Sequence, residues 1–375
     1  MDSIVQNALN REEQETVRGR NQNSSGIEHQ LDNDLKEILK TRKAEITVVG
    51  CGGAGNNTIA RLVQVGIEGA KTMAVNTDAQ DLLYTDADEK LLIGKEITEG
   101  LGAGANPKIG EAAAKESKET IKKSLTGSDM VFITCGLGGG TGTGSAPIIA
   151  EISKKLSALT VAICTLPFAM EGRHRLENAK HGLEKLEEHV DTLIVIPNDK
   201  LMEMVPDVSI NTAFKVADEI LVNAVKGIAE LVTKPGLINL DFADIRAVMG
   251  EGGIAMIGMG QSDTENRAYE AVQKALTNPL LDVDIDGATG ALINVTGGSD
   301  LTLKEAKEVV NAVTSRLSEE AKVIWGAMIQ RELGDSIRAM VIVTGVQSPQ
   351  IYGNEHSFVG EQKKEIEQKL GIDFV

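Results

Sequence analysis

Aromatic side chains are scarce in this chain, at 3% of its 375 residues, so the interior has to be packed from Val, Ile, Leu, Ala and Met. Cysteine is rarer still. Cys51, Cys135 and Cys164 follow or end apolar runs, show no metal-ligand spacing, and in their odd number fit reduced thiols in a cytoplasm. No apolar run approaches the length of a membrane span, and the first residues hold no signal-peptide core. Positive charge is outnumbered, and the formal charge of -17 argues against nucleic acid or an anionic membrane as a general partner. The expectation is an acidic cytoplasmic protein that meets a membrane only indirectly. What is plentiful is aliphatic bulk and glycine, with 42% hydrophobic residues and 39 Gly. The length favours two domains, each with its own core.

Residues 1–43 are polar and read as an extension outside the fold. From Glu45, apolar runs alternate with helical stretches. Strands are expected at Ile46–Val49, Thr72–Val75, Leu91–Ile93, Met130–Thr134, Val161–Thr165 and Leu193–Ile196, and helices at Asn56–Val65, Pro107–Leu125, Pro147–Leu156 and Arg175–His189. That order predicts a Rossmann-like α/β domain with a parallel sheet covered on both faces. Apolar residues from Ile210 to Leu231 then recur at steps of three and four, which predicts a long central helix ending at Lys234-Pro235-Gly236. Beyond it, strands at Ile254–Met259, Gly290–Val295, Val323–Met328 and Ala339–Thr344 with helices at Asp241–Met249, Glu265–Leu276 and Leu303–Leu317 make a smaller α/β domain. The expected division is an extension (1–43), a first domain (44–208), the central helix (209–233), a second domain (234–346) and a tail (347–375).

Two glycine-rich turns directly follow strands, on the edge where ligands of such sheets bind. The first contains Gly50, Gly52 and Gly55 in the spacing G-x-G-x-x-G. Alone it suggests a dinucleotide fold, but the next strand ends Asn76-Thr77-Asp78, which displaces the acid that should hold a ribose hydroxyl. Tight strand–helix packing is the plainer and less favoured reading of those glycines. The second turn, Cys135–Pro147, reads CGLGGGTGTGSAP and opens a helix. So little side-chain bulk lets backbone N–H groups and a helix dipole turn on an anion. A P-loop would add Gly-Lys-[Ser/Thr], yet the single Gly-Lys pair, Gly94-Lys95, is followed by Glu96. Phosphates then have to be held by N–H groups, the hydroxyls of Thr141 and Thr143, and a metal ion.

GLGGGTGTGSAP resembles the signature of the tubulin/FtsZ family, in the form found in prokaryotic, archaeal-type cell-division GTPases. The resemblance runs from about Glu45 to Gly345 through motifs in the family's order. It implies a GTP site made of Gly52, Gly53, Ala54, Gly55, Asn56 and Asn57 in a first loop, Asn76 and Asp78 in a second, and Ala103 and Gly104 in a third (GLGAGANP, Gly100–Pro107) that senses the outer phosphate. The main phosphate loop is then Gly138, Gly139, Gly140, Thr141, Gly142, Thr143 and Gly144, with Glu171 and Arg175 toward the ribose and base and Asn198 in a sixth motif. Phe214 and Asp218 match the residues that stack on and hydrogen-bond guanine, and Asn239, Asp241 and Asp244 match the synergy loop.

These residues also have plain readings. Phe214 suits a core, Glu171 and Arg175 are spaced as an exposed helical ion pair, and Asp241 with Asp244 suits a helix cap. Phe214 and Asp218 lie one turn apart, however, and a carboxylate accepts the two N–H bonds that guanine offers and adenine does not. The synergy-loop acids follow the central helix, so within one chain they are expected at the opposite end from the phosphates. Two copies stacked head to tail bring them together. The resemblance thus implies a self-assembling GTPase that uses GTP/GDP and Mg²⁺, with no protein residue assigned to the metal, and forms filaments at a midcell division site. It also implies an adaptor protein docked on the tail ending Leu370–Val375, a segment that equally suits a frayed terminus. The alternatives are a tubulin-like paralogue controlling cell shape and, remotely, an NAD-dependent oxidoreductase.

Overall fold

A computed structural model describes residues 44–204, 209–234, 236–238, 240–250, 252–281 and 288–346. The expectations for the extension, the tail and Asn239 lie outside the described residues.

The chain begins β1 (Ile46–Cys51), α1 (Gly52–Val65), β2 (Ala70–Asn76), α2 (Ala79–Tyr84), β3 (Glu89–Leu92), α3 (Lys95–Thr98), α4 (Pro107–Glu116), α5 (Lys118–Leu125) and β4 (Met130–Gly136). It continues α6 (Thr141–Lys155), β5 (Leu159–Leu166), α7 (Arg173–Glu187), β6 (Thr192–Pro197), α8 (Asn198–Met204) and the central helix α9 (Ile210–Thr233). The second half runs α10 (Phe242–Met249), β7 (Gly253–Ser262), α11 (Arg267–Leu276), β8 (Gly290–Gly297), α12 (Leu303–Thr314), β9 (Lys322–Ile329) and β10 (Ile337–Thr344). The strands form one sheet in the order β3-β2-β1-β4-β5-β6-β7-β10-β8-β9. From β3 to β7 every pairing is parallel, as expected, while β10 runs antiparallel to both β7 and β8. Pairing of Thr192 with Gly253 and Ile194 with Ala255 joins the strands of the two halves without a break.

Strand alternation feeds two cores. Val49 and Cys51 of β1 face the side covered by α4 and α6, and Ile46 and Val48 face the side covered by α1 and α9. The central helix shares its buried face between both halves: Leu221, Val225 and Ile228 lie in one cluster with Phe132 and Val161 on one side and Leu292 and Ile342 on the other. A fully buried Phe132 contributes about 2–3 kcal/mol by burial alone.

Three expectations need correcting. The stretch Pro107–Leu125 is two helices, because Ser117 leaves helical geometry (φ -92, ψ 12). The helix expected from Pro147 starts at Thr141 and carries Pro147 inside it, since its first residues are too small to show an apolar period. Short α2, α3 and α8 were not foreseen. The three cysteines are buried neighbours across β1, β4 and β5, and burial pushes the Cys135 thiol up to about 12.

Candidate active site

The carboxyl ends of β1 and β4 release their chains into α1 and α6, whose N-termini open on one cavity. A helix start normally carries a side-chain cap for its orphan N–H groups. Asp78, Asn106, Ser209, Asp241 and Thr302 cap α2, α4, α9, α10 and α12 in that way. The starts of α1, at Cys51, and of α6, at Gly140, have no side-chain cap, a condition shared by α3, α5, α7 and α11, but of these only α1 and α6 put their first residues on this cavity. Both long helices therefore present unscreened positive dipole ends to the same space. The N–H groups of Gly139, Gly140, Thr141, Gly142 and Thr143 also donate to nothing among the described residues.

Steric limits explain why the loop must be glycine. A Cβ on Gly142 would lie 2.9 Å from the Cys51 carbonyl oxygen, and one on Gly140 would lie 2.8 Å from the Asn106 nitrogen. The third loop thus presses on the phosphate loop. Ala103, Gly104 and Ala105 there also keep N–H groups without acceptors among the described residues. Thr143 differs from expectation: it is 2% exposed and its hydroxyl accepts from Gly138 N–H at 2.9 Å, bracing the loop. Gly144 packs toward α4, while the Thr141 hydroxyl meets that of Thr77 at 2.6 Å.

Gly52, Gly53 and Ala54 line the cavity. Gly55 instead abuts Gly50, where a Cβ would come within 2.3 Å of the Gly55 oxygen, so the packing reading holds for that pair. Asn56 and Asn76 turn inward on Asp81, donating to its carboxylate at 3.3 and 2.6 Å, and Asn57 is exposed on α1. Asp78 caps α2, accepting from Gln80 and Asp81 N–H, so it is committed as a capping acid at the end of β2.

The far end of the cavity has a different chemistry. Phe214 is 42% exposed and meets Phe168 edge-on, with ring centroids 5.2 Å apart, so it is a platform rather than core. Asp218, one turn on, has no hydrogen-bond or ion-pair partner among the described residues. Burial, assisted by Glu219, pushes its carboxyl from 3.8 up to about 6. Asn198 brings a buried Oδ1 that is unsatisfied among the described residues. Glu171 and Arg175 form the foreseen ion pair at 2.7 Å and line the wall. Cys51, Thr165 and Ala217 line it too, and sequence reasoning missed them because none carries a motif.

The synergy-loop acids lie elsewhere. Asp241 accepts from Ala243 N–H at 3.2 Å and Asp244 from Asp241 N–H at 3.4 Å, a capping box with both carboxylates exposed. Arg246 of α10 reaches the carbonyls of Asp129 and Ser157, which precede β4 and β5. This helix therefore sits under the amino ends of the strands. The length of β4, about 20 Å, separates it from the phosphate loop.

One end of the cavity offers N–H groups without acceptors among the described residues, and the other a half-exposed ring beside an unpartnered carboxylate. The Tubulin/FtsZ family GTPase-domain model matches residues 45–206, and the FtsZ family C-terminal domain matches residues 253–347. Cell division protein FtsZ 1 of Methanocaldococcus jannaschii is 66% identical over 317 residues, 84% of this chain and 87% of that protein. The chain belongs to the tubulin/FtsZ family. A solved M. jannaschii FtsZ dimer, empty, superimposes with a TM-score of 0.81 over 84% of this chain and 92% of that one. CetZ2 from Haloferax volcanii, a GTPγS-bound protofilament, shares the fold with a TM-score of 0.71 at 20% identity, covering 87% of this chain and 99% of that one. Within the tubulin/FtsZ family this chain is a cell-division GTPase, and the cavity between α1, α6 and α9 is its candidate guanine-nucleotide site.

Proposed function

We propose that the cavity holds GTP with guanine on Phe214 and Asp218 and the phosphates on the N–H groups of Gly139–Thr143, and that a second copy completes the hydrolytic centre. The carrying observation is one cavity onto which two helix starts and a run of N–H groups without acceptors among the described residues open opposite an unpaired carboxylate, while Asp241 and Asp244 stand exposed at the other end of the sheet. Stacked head to tail, one copy holds the nucleotide and the next inserts its two acids. Their carboxylate oxygens accept hydrogen bonds from the attacking water and orient it in line with the outer phosphate. Water's oxygen bonds to phosphorus, the bond to the bridging oxygen of GDP breaks with its electron pair staying on GDP, one of water's protons stays on the released phosphate and the other passes to solvent. Mg²⁺ would neutralise charge on the outer phosphates. The ion would be held chiefly by phosphate and water oxygens; among the described residues no three His, Cys, Asp or Glu side chains cluster.

This contact does not close on itself and so propagates as a filament. The relatives are named for cell division, and the compared structures include an FtsZ dimer and a CetZ2 protofilament. The same reading has the chain assemble at the midcell division site and meet the membrane only through an adaptor on residues 347–375. Among the described residues no helix is long and apolar enough to cross a membrane. A paralogue role in cell shape shares the same site and differs only in phenotype on depletion. Phosphate release measured over a protein concentration series, with sedimentation in GTP, GDP and NAD, tests the reading. Turnover per subunit rises cooperatively with pelleting in GTP, whereas a full rate at high dilution would refute a shared centre.

A further inference from the structure

On α7, outside every motif, Asn178 points its amide at two loops at once. Its Nδ2 donates to the Ala105 carbonyl at 3.2 Å and to the Gly138 carbonyl at 3.4 Å. Both acceptors are carbonyls, so only the NH₂ face of the amide satisfies them, and both of its protons are used. Gly138 opens the main phosphate loop, and a Cβ there would lie 2.9 Å from the Arg175 carbonyl on the first turn of α7. Ala105 is a non-glycine residue at φ +57, a left-handed conformation that an L side chain disfavours and that outside contacts must hold. It follows Gly104, at φ +55, in the third loop, where three consecutive N–H groups lack acceptors among the described residues.

The position of that loop decides what it reads. The cavity runs from Phe214 and Asp218 to Gly139–Gly142. The third loop lies beyond Gly140, touching it through Ala103 and Asn106. A nucleotide anchored by its base thus reaches the third loop only with its last phosphate. We infer that Asn178 is a positioning residue that holds the third loop against the main phosphate loop in its anion-ready shape, and so sets the preference for triphosphate over diphosphate. This rests on the reading of the cavity as the GTP site. A second tie, Lys185 on α7 to Glu111 at 2.8 Å, joins α7 to α4, the helix that follows the third loop, without touching either loop and serves as a control.

The experiment measures GTP and GDP affinity by equilibrium titration of dilute protein, and KM and kcat under assembling conditions, for wild type, Asn178→Asp, Asn178→Ala and Lys185→Ala. Asn178→Asp keeps the shape and removes both donors. Both Asn178 variants should lower GTP affinity about fivefold, the loss of one net hydrogen bond's worth, and leave GDP affinity and thermal midpoint in place. KM for GTP should rise with kcat kept, and Lys185→Ala should keep the wild-type ratio of GTP to GDP affinity. Equal loss of both nucleotides, an unchanged ratio in Asn178→Asp, or the same drop in Lys185→Ala overturns the inference. Wild-type protein with no affinity for GTP removes the underlying reading as well.

Discussion

Replacing Asp218 by Asn should weaken nucleotide binding while making the empty protein more stable, two effects of opposite sign from one carboxyl. Its pKa of about 6 is set by burial, and the form that accepts from guanine is the charged one. At pH 7 about ten parts in eleven are ionised, and at pH 5 about one in eleven, so GTP affinity should fall about tenfold, or 1.4 kcal/mol, across that interval. The amide of Asp218→Asn does not titrate, so the step should vanish in that variant. Its affinity at pH 7 should drop roughly 10- to 100-fold through loss of a charge-assisted bond. For stability, the folded pKa lies above the ordinary 3.8, so the native state binds the extra proton. The carboxyl therefore becomes progressively destabilising as pH rises from about 4 to 6. Asp218→Asn should accordingly raise the thermal midpoint at pH 7 and leave it unchanged near pH 3. Titration calorimetry at fixed ionic strength, paired with thermal melts of nucleotide-free protein, reads both. A pH-independent wild-type affinity between 5 and 7, or a variant that binds GTP as tightly as wild type, would show that Asp218 does not meet the base.

Asp241→Ala should keep GTP affinity and lower turnover by at least 10²-fold with filaments still pelleting; loss of affinity in that variant places the loop with its own subunit's nucleotide. Thr141→Val with Gly142→Ala should abolish GTP binding, because the new Cβ needs space 2.9 Å from the Cys51 oxygen and the hydroxyl contact with Thr77 is lost; unchanged affinity in a titration removes the phosphate assignment. Glu305 is held down at about 2 chiefly by Arg267, with Thr302 assisting, so its stabilisation is full above the ordinary 4.5 and is lost as pH falls toward 2. Glu305→Gln, which retains a capping-box residue, should cost about 1–3 kcal/mol in urea melts at pH 7 and almost nothing at pH 2; an equal cost at both pH values makes the effect steric.

What could be read from sequence follows from which forces leave a periodic trace. Ile210–Leu231 announced α9 because a face buried on both halves of the fold repeats every three to four residues. Asp241 was legible as a cap, since a cap is a local pattern. The start of α6 was not, because Thr141–Ser145 owes its helix to close backbone packing, where Gly144 and Gly110 leave room for α4, and that has no apolar rhythm. Within the site, Phe214 and Asp218 were found through the family resemblance, to which their shared turn gave a physical reason. Asp81, which gathers Asn56 and Asn76, was missed because it serves other side chains rather than the cavity. Asn178 was invisible for a stronger reason: its partners lie 73 and 40 positions away and are main-chain carbonyls, which no residue type marks.

The parallel strands β1, β4, β5 and β6 run together toward the edge with the glycine-rich loops, and α10 with its acids lies at the amino ends of β4 and β5. In a head-to-tail array a tug along the polymer would thus act along the strands. Neighbouring ladders would resist it together in shear, where many bonds must fail at once, rather than being peeled one after another. The weak link under tension is then the joint between copies and not the subunit, so a strained filament should break at a nucleotide with its subunits still folded.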